Sequence, residues 1–576
     1  MTEDQSIPAD DPAPDEPTPS IVEAEAHHHP DTAVHHMPVG PVFCLRNVLW
    51  MTFFFALTIA TRCADYREIF VPKAGGGWDI FFKQGEGDCY SRMTRVREVL
   101  EHGGIVHHHA WENFPKGTWP HTTLLMDYLI AGIALLLKPF MADYVDVAGA
   151  VVSPLLGVLT TGFLALWARE LNQQYRRLML LTVALSPILV HGTELGRPRH
   201  QSLQIFLLAV GIGAELIMAR KPRVSWGIVS GIAWGLALWV SLYEPLVLLV
   251  VIYVTKVIFY RPNLFVKERL WGLGVFACIL GVAYLLEGQY MVKSFVTVAH
   301  DPTMKLYFEK WAGTIGEMTG MNVTGMNMFS ELLFRWVGFG LLFSPLLLIA
   351  RLRDTKRSVL LLSLLVTTFA LTMMEERWGY FFALVFAMSL PWQLSLFRRK
   401  WLVWTLFLLS LWPVAEQWDY WLFDVNYQDV NTAKLNDQRR LRQAAEFIKE
   451  KAPGGIMAPW WWSPQLVYWS GQPAVAGSSH ESLAGIVDTA RFFSTTDPKE
   501  AEAVCTERQV ETVVTGNPGN IVDQSAQLLG HPETTQENTM ADILWARPHS
   551  APLFLHIVFD NNVVKVFEVN HGHIVR

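Results

Sequence analysis

The chain alternates long apolar blocks with short polar stretches. The blocks fall at about 43–61, 146–168, 176–193, 202–219, 224–241, 244–260, 268–287, 329–350, 357–374, 378–397 and 401–417. Their lengths match the ~20 residues with which an α-helix crosses a hydrocarbon core. The pattern predicts a polytopic α-helical membrane protein with eleven full spans.

Charge sets the orientation. Arg169/Arg176/Arg177, Arg220/Lys221/Arg223, Arg261/Lys267/Arg269, Arg351/Arg353/Lys356/Arg357 and Arg398/Arg399/Lys400 follow alternate blocks. Such clusters stay in the cytoplasm. The phase predicts an integral inner-membrane (cytoplasmic-membrane) protein with a cytoplasmic N-terminus. Residues 62–145 and 288–328 become long external loops, and 418–576 an extracytoplasmic (periplasmic) C-terminal α/β domain. Its strand-like runs are "ETVVT" and "LFLHIVF", its helix "QRRLRQAAEFIKEKA". One further apolar run, 122–140, would reverse the later phase if it crossed, so it is expected as a juxtamembrane or re-entrant helix.

Composition agrees: 51% of the 576 residues are hydrophobic and 17% charged, too apolar for a soluble chain of this length. The net charge of −7 argues against nucleic acid as a partner. Five scattered cysteines without a CxxC pair exclude a disulfide framework and a thiolate metal site. Residues 1–40 are acidic and proline-rich, expected as a disordered cytoplasmic tail without a cleavable signal.

Chemistry concentrates in the loops. Residues 86–104, "EGDCYSRMTRVREVLEHGG", have helical spacing, with Met93, Val96 and Leu100 on one face and Asp88, Arg92 and Arg95 on another. Taken alone, that second face reads as a helix-capping aspartate followed by solvated arginines. Further along stand "ELGRPRHQSLQIF", "TIGEM" at 314–318, "EERWGYFFAL", and "APWWWSPQLVYWSGQPAVAG".

In this order, and with "HHHAWENFPKGTWPHTTLLMDYLIAGIALLLKPF" after the first, these motifs resemble the catalytic subunit of oligosaccharyltransferase and its bacterial and archaeal relatives. Those are membrane glycosyltransferases of the GT-C class. The resemblance runs from about 43 to 515. It implies a GT-C fold of about 11–13 spans over 41–417, and the transfer of a sugar or oligosaccharide from a polyprenyl phosphate or pyrophosphate to an acceptor outside the cytoplasm. A GT-C protein that binds lipid-linked glycan or a partner without catalysis is the alternative.

The resemblance also assigns roles. Asp88 and Glu317 match catalytic carboxylates. Arg377 matches the arginine that binds the carrier phosphate, with Arg92 or Arg95 as further phosphate contacts. Trp461, Trp462 and Ser463 match the acceptor-recognition trio, and Ser463 stands where the family has Asp. A divalent cation, Mg or Mn, is implied, with Asp88, His200 and Glu317 as ligands. Arg199 stands where the family often has Asp, and a guanidinium cannot ligate a cation. Three outcomes stay open: metal on Asp88, His200 and Glu317; Arg199 replacing a cation charge; or lost activity. The acceptor, whether protein or glycan, is not fixed by the sequence.

Overall fold

The computed structural model describes residues 45–73, 77–83, 86–119, 124–260, 266–288, 302–315, 318, 326–352, 356–451 and 453–571. The N-terminal tail and Glu317 lie outside them. All eleven apolar blocks are helical, but not all are single rods. Among the described residues, five helices are long and apolar enough to cross a membrane, at Tyr144–Glu170, His200–Met218, Tyr243–Tyr260, Lys267–Glu287 and Arg357–Met374. A bent pair, Glu331–Val337 and Phe339–Ala350, makes a sixth.

The breaks have local causes. The block at 176–193 divides into Arg176–Leu185 and Pro187–His191, because Pro187 has no N–H to continue the ladder. The Val183 carbonyl left without that N–H accepts from Arg62 at 2.8 Å, and the Ser186 hydroxyl at the break donates to the Trp336 carbonyl at 2.8 Å. The bent pair turns by 100° at Gly338, which has φ +84°. A Cβ there would stand 2.5 Å from the Ser410 carbonyl oxygen. The last block is likewise two helices, Lys400–Ser410 and Trp412–Phe423. The run expected to lie along the membrane forms Leu124–Leu137, 14 residues long. At ~1.5 Å per residue that is roughly 21 Å, short of a ~30 Å core.

Two features of the helical layer escaped the sequence reading. Gly227 and Gly231 of Val224–Val240 face Gly272 of Lys267–Ala283 so closely that a Cβ at Gly231 would sit 2.2 Å from the Gly272 carbonyl oxygen. Small residues let membrane helices approach in this way. Nearby, the buried Glu215 carboxylate accepts from Ser230 at 2.5 Å, from Arg269 at 3.0 Å and from Lys256. Four helices are thus tied at one end by a paired charge cluster.

The first long loop carries a hairpin, β1 (Phe70–Pro72) against β2 (Trp78–Ile80), and then the helix Gly87–His102. The C-terminal segment forms a four-stranded sheet of β3 (Gly455–Met457), β4 (Val510–Thr515), β5 (Leu555–Asp560) and β6 (Lys565–Val569). The order is β3-β4-β6-β5; β3 and β4 run parallel, and the other pairs are antiparallel. The helix leading into it runs from Val425 to Lys449, capped by the Asp424 carboxylate, which accepts from the Tyr427 N–H at 2.8 Å.

This segment is sewn to the first loop. The Ala474 N–H donates to the Trp111 carbonyl at 2.9 Å, and the Phe114 N–H to the Ala474 carbonyl at 3.0 Å. The Arg97 guanidinium donates to the Tyr468 carbonyl at 2.8 Å, and the Tyr468 hydroxyl to Asp146 at 2.5 Å. Residues far apart in sequence therefore share one wall.

Candidate functional site

A cavity of about 610 Å³ opens where the two long loops, the turn before Gly379–Leu394 and the C-terminal segment meet. Its wall includes Glu86, Asp88, His191, Arg197, Arg199, Thr314, Ile315, Glu376, Arg377, Tyr380, Trp460 and Trp461. Five of the sequence motifs contribute to it.

Asp88 stands in the first turn of Gly87–His102. Glu86 occupies the capping position and makes no side-chain cap, so the helix start leaves both carboxylates turned to other partners. Gly87 is closely packed here: a Cβ would approach Ser478 to 3.0 Å and Pro464 to 3.2 Å. Opposite, the chain turns at Gly196, φ +73°, with the Ile69 side chain 2.4 Å from where a Cβ would be. That turn brings Arg197 and Arg199 onto the same wall.

The wall is held by charge pairs. Arg199 Nη2 donates to Asp88 Oδ2 at 2.9 Å, and its Nη1 lies 3.6 Å from Glu86 Oε2. Arg197 binds Glu86, reaches Glu194 Oε1 at 3.1 Å, and donates to His191 at 2.9 Å. His191 in turn bonds the Tyr380 hydroxyl at 2.9 Å. Arg377 Nε donates to Glu375 Oε2 at 2.9 Å, with Glu244 at 3.5 Å and the Tyr243 ring centroid at 5.1 Å.

Behind Arg197, Glu86 and His191 lies a second cavity of about 290 Å³, which Lys83, Asp65, Glu194, Trp418 and Trp421 help to line. Burial pushes the Glu194 carboxyl up to about 7, against the lowering field of Lys83 at 3.1 Å. Burial depresses Lys83 too, but Glu194 and Asp65 more than offset it, and the ammonium ends above its ordinary value.

The expected residues separate into three groups. Asp88, Arg377 and Trp461 line the cavity. Glu317 is outside the described residues, although Thr314 and Ile315 of the same motif are on the wall. The others are placed elsewhere. Arg92 and Arg95 are buried, and both clasp Asp127 of Leu124–Leu137, Arg95 Nε at 2.8 Å. Neither is on the cavity wall, and neither belongs to a solvated face. Trp462 packs into the apolar cluster beside β4, its ring filling the space over Gly516. Ser463 is fully buried and donates to the carbonyls of Ala458 and Pro459 at 3.1 and 3.2 Å. The aromatic partner of Trp461 on the wall is instead Trp460, with ring centroids 5.6 Å apart and nearly perpendicular.

The cation implied by the motif order meets a poor donor set. His200 is half-buried at the start of its helix, amid the fields of Arg92, Arg199, Arg377 and Arg95, and is not on the wall. Asp88 already accepts from Arg199. Among the described residues no three His, Cys, Asp or Glu side chains are grouped to hold a metal ion.

No family model matches the chain, and no curated protein matches it. Solved structures do. The oligosaccharyltransferase of Archaeoglobus fulgidus tethered to an acceptor peptide with the NVT sequon superposes with a TM-score of 0.64 at 13% identity, over 85% of this chain and 72% of that one. The same archaeal enzyme, AglB, with an inhibitory peptide and a dolichol-phosphate, gives 0.63 at 13% identity over 92% and 74%. Its complex with Zn and sulfate gives 0.62 at 13% over 90% and 73%. At such identity the likeness is one of fold: the chain shares the architecture of this archaeal oligosaccharyltransferase.

Proposed function

We propose that the protein transfers a sugar or oligosaccharide from a polyprenyl phosphate or pyrophosphate carrier to an acceptor on the extracytoplasmic side of the inner membrane. The observation that carries the reading is the wall shared by Asp88, Arg377, Trp460 and Trp461. A transferase needs a group to take the acceptor's proton, a cation for the departing phosphate, and surfaces for two substrates. Those groups come from three separate segments and meet in one cavity. The fold shared with a dolichol-phosphate-bound archaeal enzyme supports a lipid-linked donor.

In this reading the acceptor heteroatom attacks the anomeric carbon. The bond from that carbon to the carrier oxygen breaks, and its electron pair leaves on the phosphate. Asp88 receives the acceptor's proton, and Arg377 faces the negative charge that grows on the leaving oxygen. Trp460 and Trp461 offer apolar ring faces to the acceptor. Because Ser463 is spent on backbone carbonyls, recognition of a peptide hydroxyl by that position finds no support.

The ion pair between Asp88 and Arg199 also favours a second reading, a lipid-linked-glycan binder without catalysis. Mass spectrometry of glycans and glycopeptides from a deletion strain separates the two. Wild-type protein restores the missing species in the transferase reading, and Asp88→Ala does not. Full restoration by Asp88→Ala sinks the catalytic role and leaves binding.

A further inference from the structure

We infer that Arg199 is the built-in cation of this site: its guanidinium stands beside Asp88 where a divalent ion would sit, and transfer proceeds without one. The inference rests on the transferase reading above.

The geometry is specific. Arg199 meets Asp88 at 2.9 Å and reaches Glu86 at 3.6 Å, so it bridges two carboxylates that flank one helix start. Its side chain is largely buried, whereas that of Asp88 is 44% exposed. The arginine is therefore the fixed partner and the aspartate the accessible one. The backbone at Arg199 is extended, at the capping position of His200–Met218, and its carbonyl accepts from the Ser202 hydroxyl at 2.9 Å. Gly196 supplies the turn before it.

Charge argues the same way. A dication needs several oxygen donors that are not already neutralised. Here Glu86 is bound by Arg197, Glu194 by Lys83 and Arg197, and Asp88 by Arg199. A guanidinium stays protonated at any working pH and cannot step aside by losing its charge. An ion at Asp88 would meet that fixed positive charge within a few ångströms of its own ligand. The same fork geometry that repels a metal suits an oxyanion, since a guanidinium serves carboxylate and phosphate oxygens through parallel N–H bonds.

Two tasks follow for Arg199. It holds the Asp88 carboxylate in place at the cavity wall, ready for the acceptor's proton. It also adds a second positive charge beside Arg377 as the carrier phosphate leaves with the bonding electron pair.

The test uses full-length protein purified in lipid nanodiscs, with Mn²⁺ as the probe. Electron paramagnetic resonance reports bound ion directly, and turnover of lipid-linked glycan is followed in excess EDTA. The expected results are no Asp88-dependent Mn²⁺ binding in wild type, and turnover within twofold with and without EDTA. Arg199→Asp should gain a Mn²⁺ site that Asp88→Asn then removes, while Arg199→Lys should bind no ion and keep part of the turnover. One equivalent of Mn²⁺ on wild type that Asp88→Asn releases would overturn the inference, as would loss of turnover in EDTA. The comparison with Asp88→Asn removes any ion taken up by the histidines at 27–29 or 35–36. If no condition gives turnover, the transferase reading fails by itself. The Mn²⁺ spectra of wild type and Asp88→Asn, which need no turnover, still decide whether Arg199 excludes the ion.

Discussion

Arg95 Nε donates to Asp127 Oδ2 at 2.8 Å, with both side chains buried and Arg92 on the other carboxylate oxygen. The pair ties the helix that carries Asp88 to the short apolar helix Leu124–Leu137. Removing one partner of a buried ion pair strands the other, which costs about 3–5 kcal/mol. Asp127→Asn should therefore lower stability by that order and leave two buried guanidiniums opposed. Thermal unfolding in detergent measures it. An unchanged midpoint together with weakened carrier-lipid binding would return Arg92 and Arg95 to the phosphate role that the motif order implies.

Arg377 sits on the cavity wall between Glu375 and Glu244. Charge-assisted hydrogen bonds contribute about 1.5–3 kcal/mol, which is roughly ten- to hundredfold in affinity. Arg377→Ala should weaken binding of the polyprenyl phosphate by that factor with little change in fold. Titration of a carrier lipid into nanodisc-held protein checks it. Equal affinity for wild type and variant would remove Arg377 from phosphate binding.

That the apolar blocks are helical was legible because a bilayer imposes one crude requirement, a long apolar helix; of the eleven expected spans, five helices, or six with the bent pair, are long and apolar enough to cross among the described residues. The breaks at Pro187 and Gly338 were visible as residue types, but only the fold shows that Ser186 then binds Trp336 and that Gly338 packs on Ser410. Asp127 was the missed signal: a lone carboxylate in an apolar run demands a partner, and two arginines on one face of the preceding helix were available. For "WWW" at 460–462 no periodicity applies. The three half-buried side chains pack on three different apolar clusters, and of them only Trp460 and Trp461 also reach the cavity wall, while Trp462 packs beside β4.

That split is testable. Trp462→Ala should behave as a core truncation, losing about 3–5 kcal/mol of stability. Trp460→Ala, which also gives up the edge contact with Trp311 at 6.0 Å, should lose less stability than Trp462→Ala and raise the acceptor KM about fivefold, as expected for the loss of one aromatic contact worth roughly 1 kcal/mol. Melting curves and acceptor kinetics on the two variants check this together. Reversed phenotypes would exchange the roles of the two rings.

Gly231 tests the close helix pair. Alanine there places a Cβ 2.2 Å from the Gly272 carbonyl oxygen, a backbone atom that cannot swing away. The helices Val224–Val240 and Lys267–Ala283 must then separate. Overpacking of this kind costs about 1–3 kcal/mol. Gly231→Ala should lower the melting point, while Gly274→Ala, with nothing within 4 Å of the added Cβ, should not. Equal melting points would show that the approach is looser than drawn.

The last prediction concerns pH. Burial raises the Glu194 carboxyl from 4.5 to about 7, so between those values the folded state holds a proton that the unfolded state has released. Linkage then makes this group's contribution more favourable as pH falls from about 7 toward 4.5 and less favourable as pH rises through that window. Its slope is at most ~1.4 kcal/mol per pH unit. Lys83 does not confuse the reading, because its raised value places its own titration far above neutrality. Glu194→Gln removes the proton exchange while keeping the shape of the side chain. Melting points of wild type minus Glu194→Gln, taken from pH 7.5 to pH 5, should therefore climb as the solution becomes more acid. A flat difference would mean that Lys83 and Arg197 hold Glu194 ionised across the whole range, and that burial does not dominate at this wall.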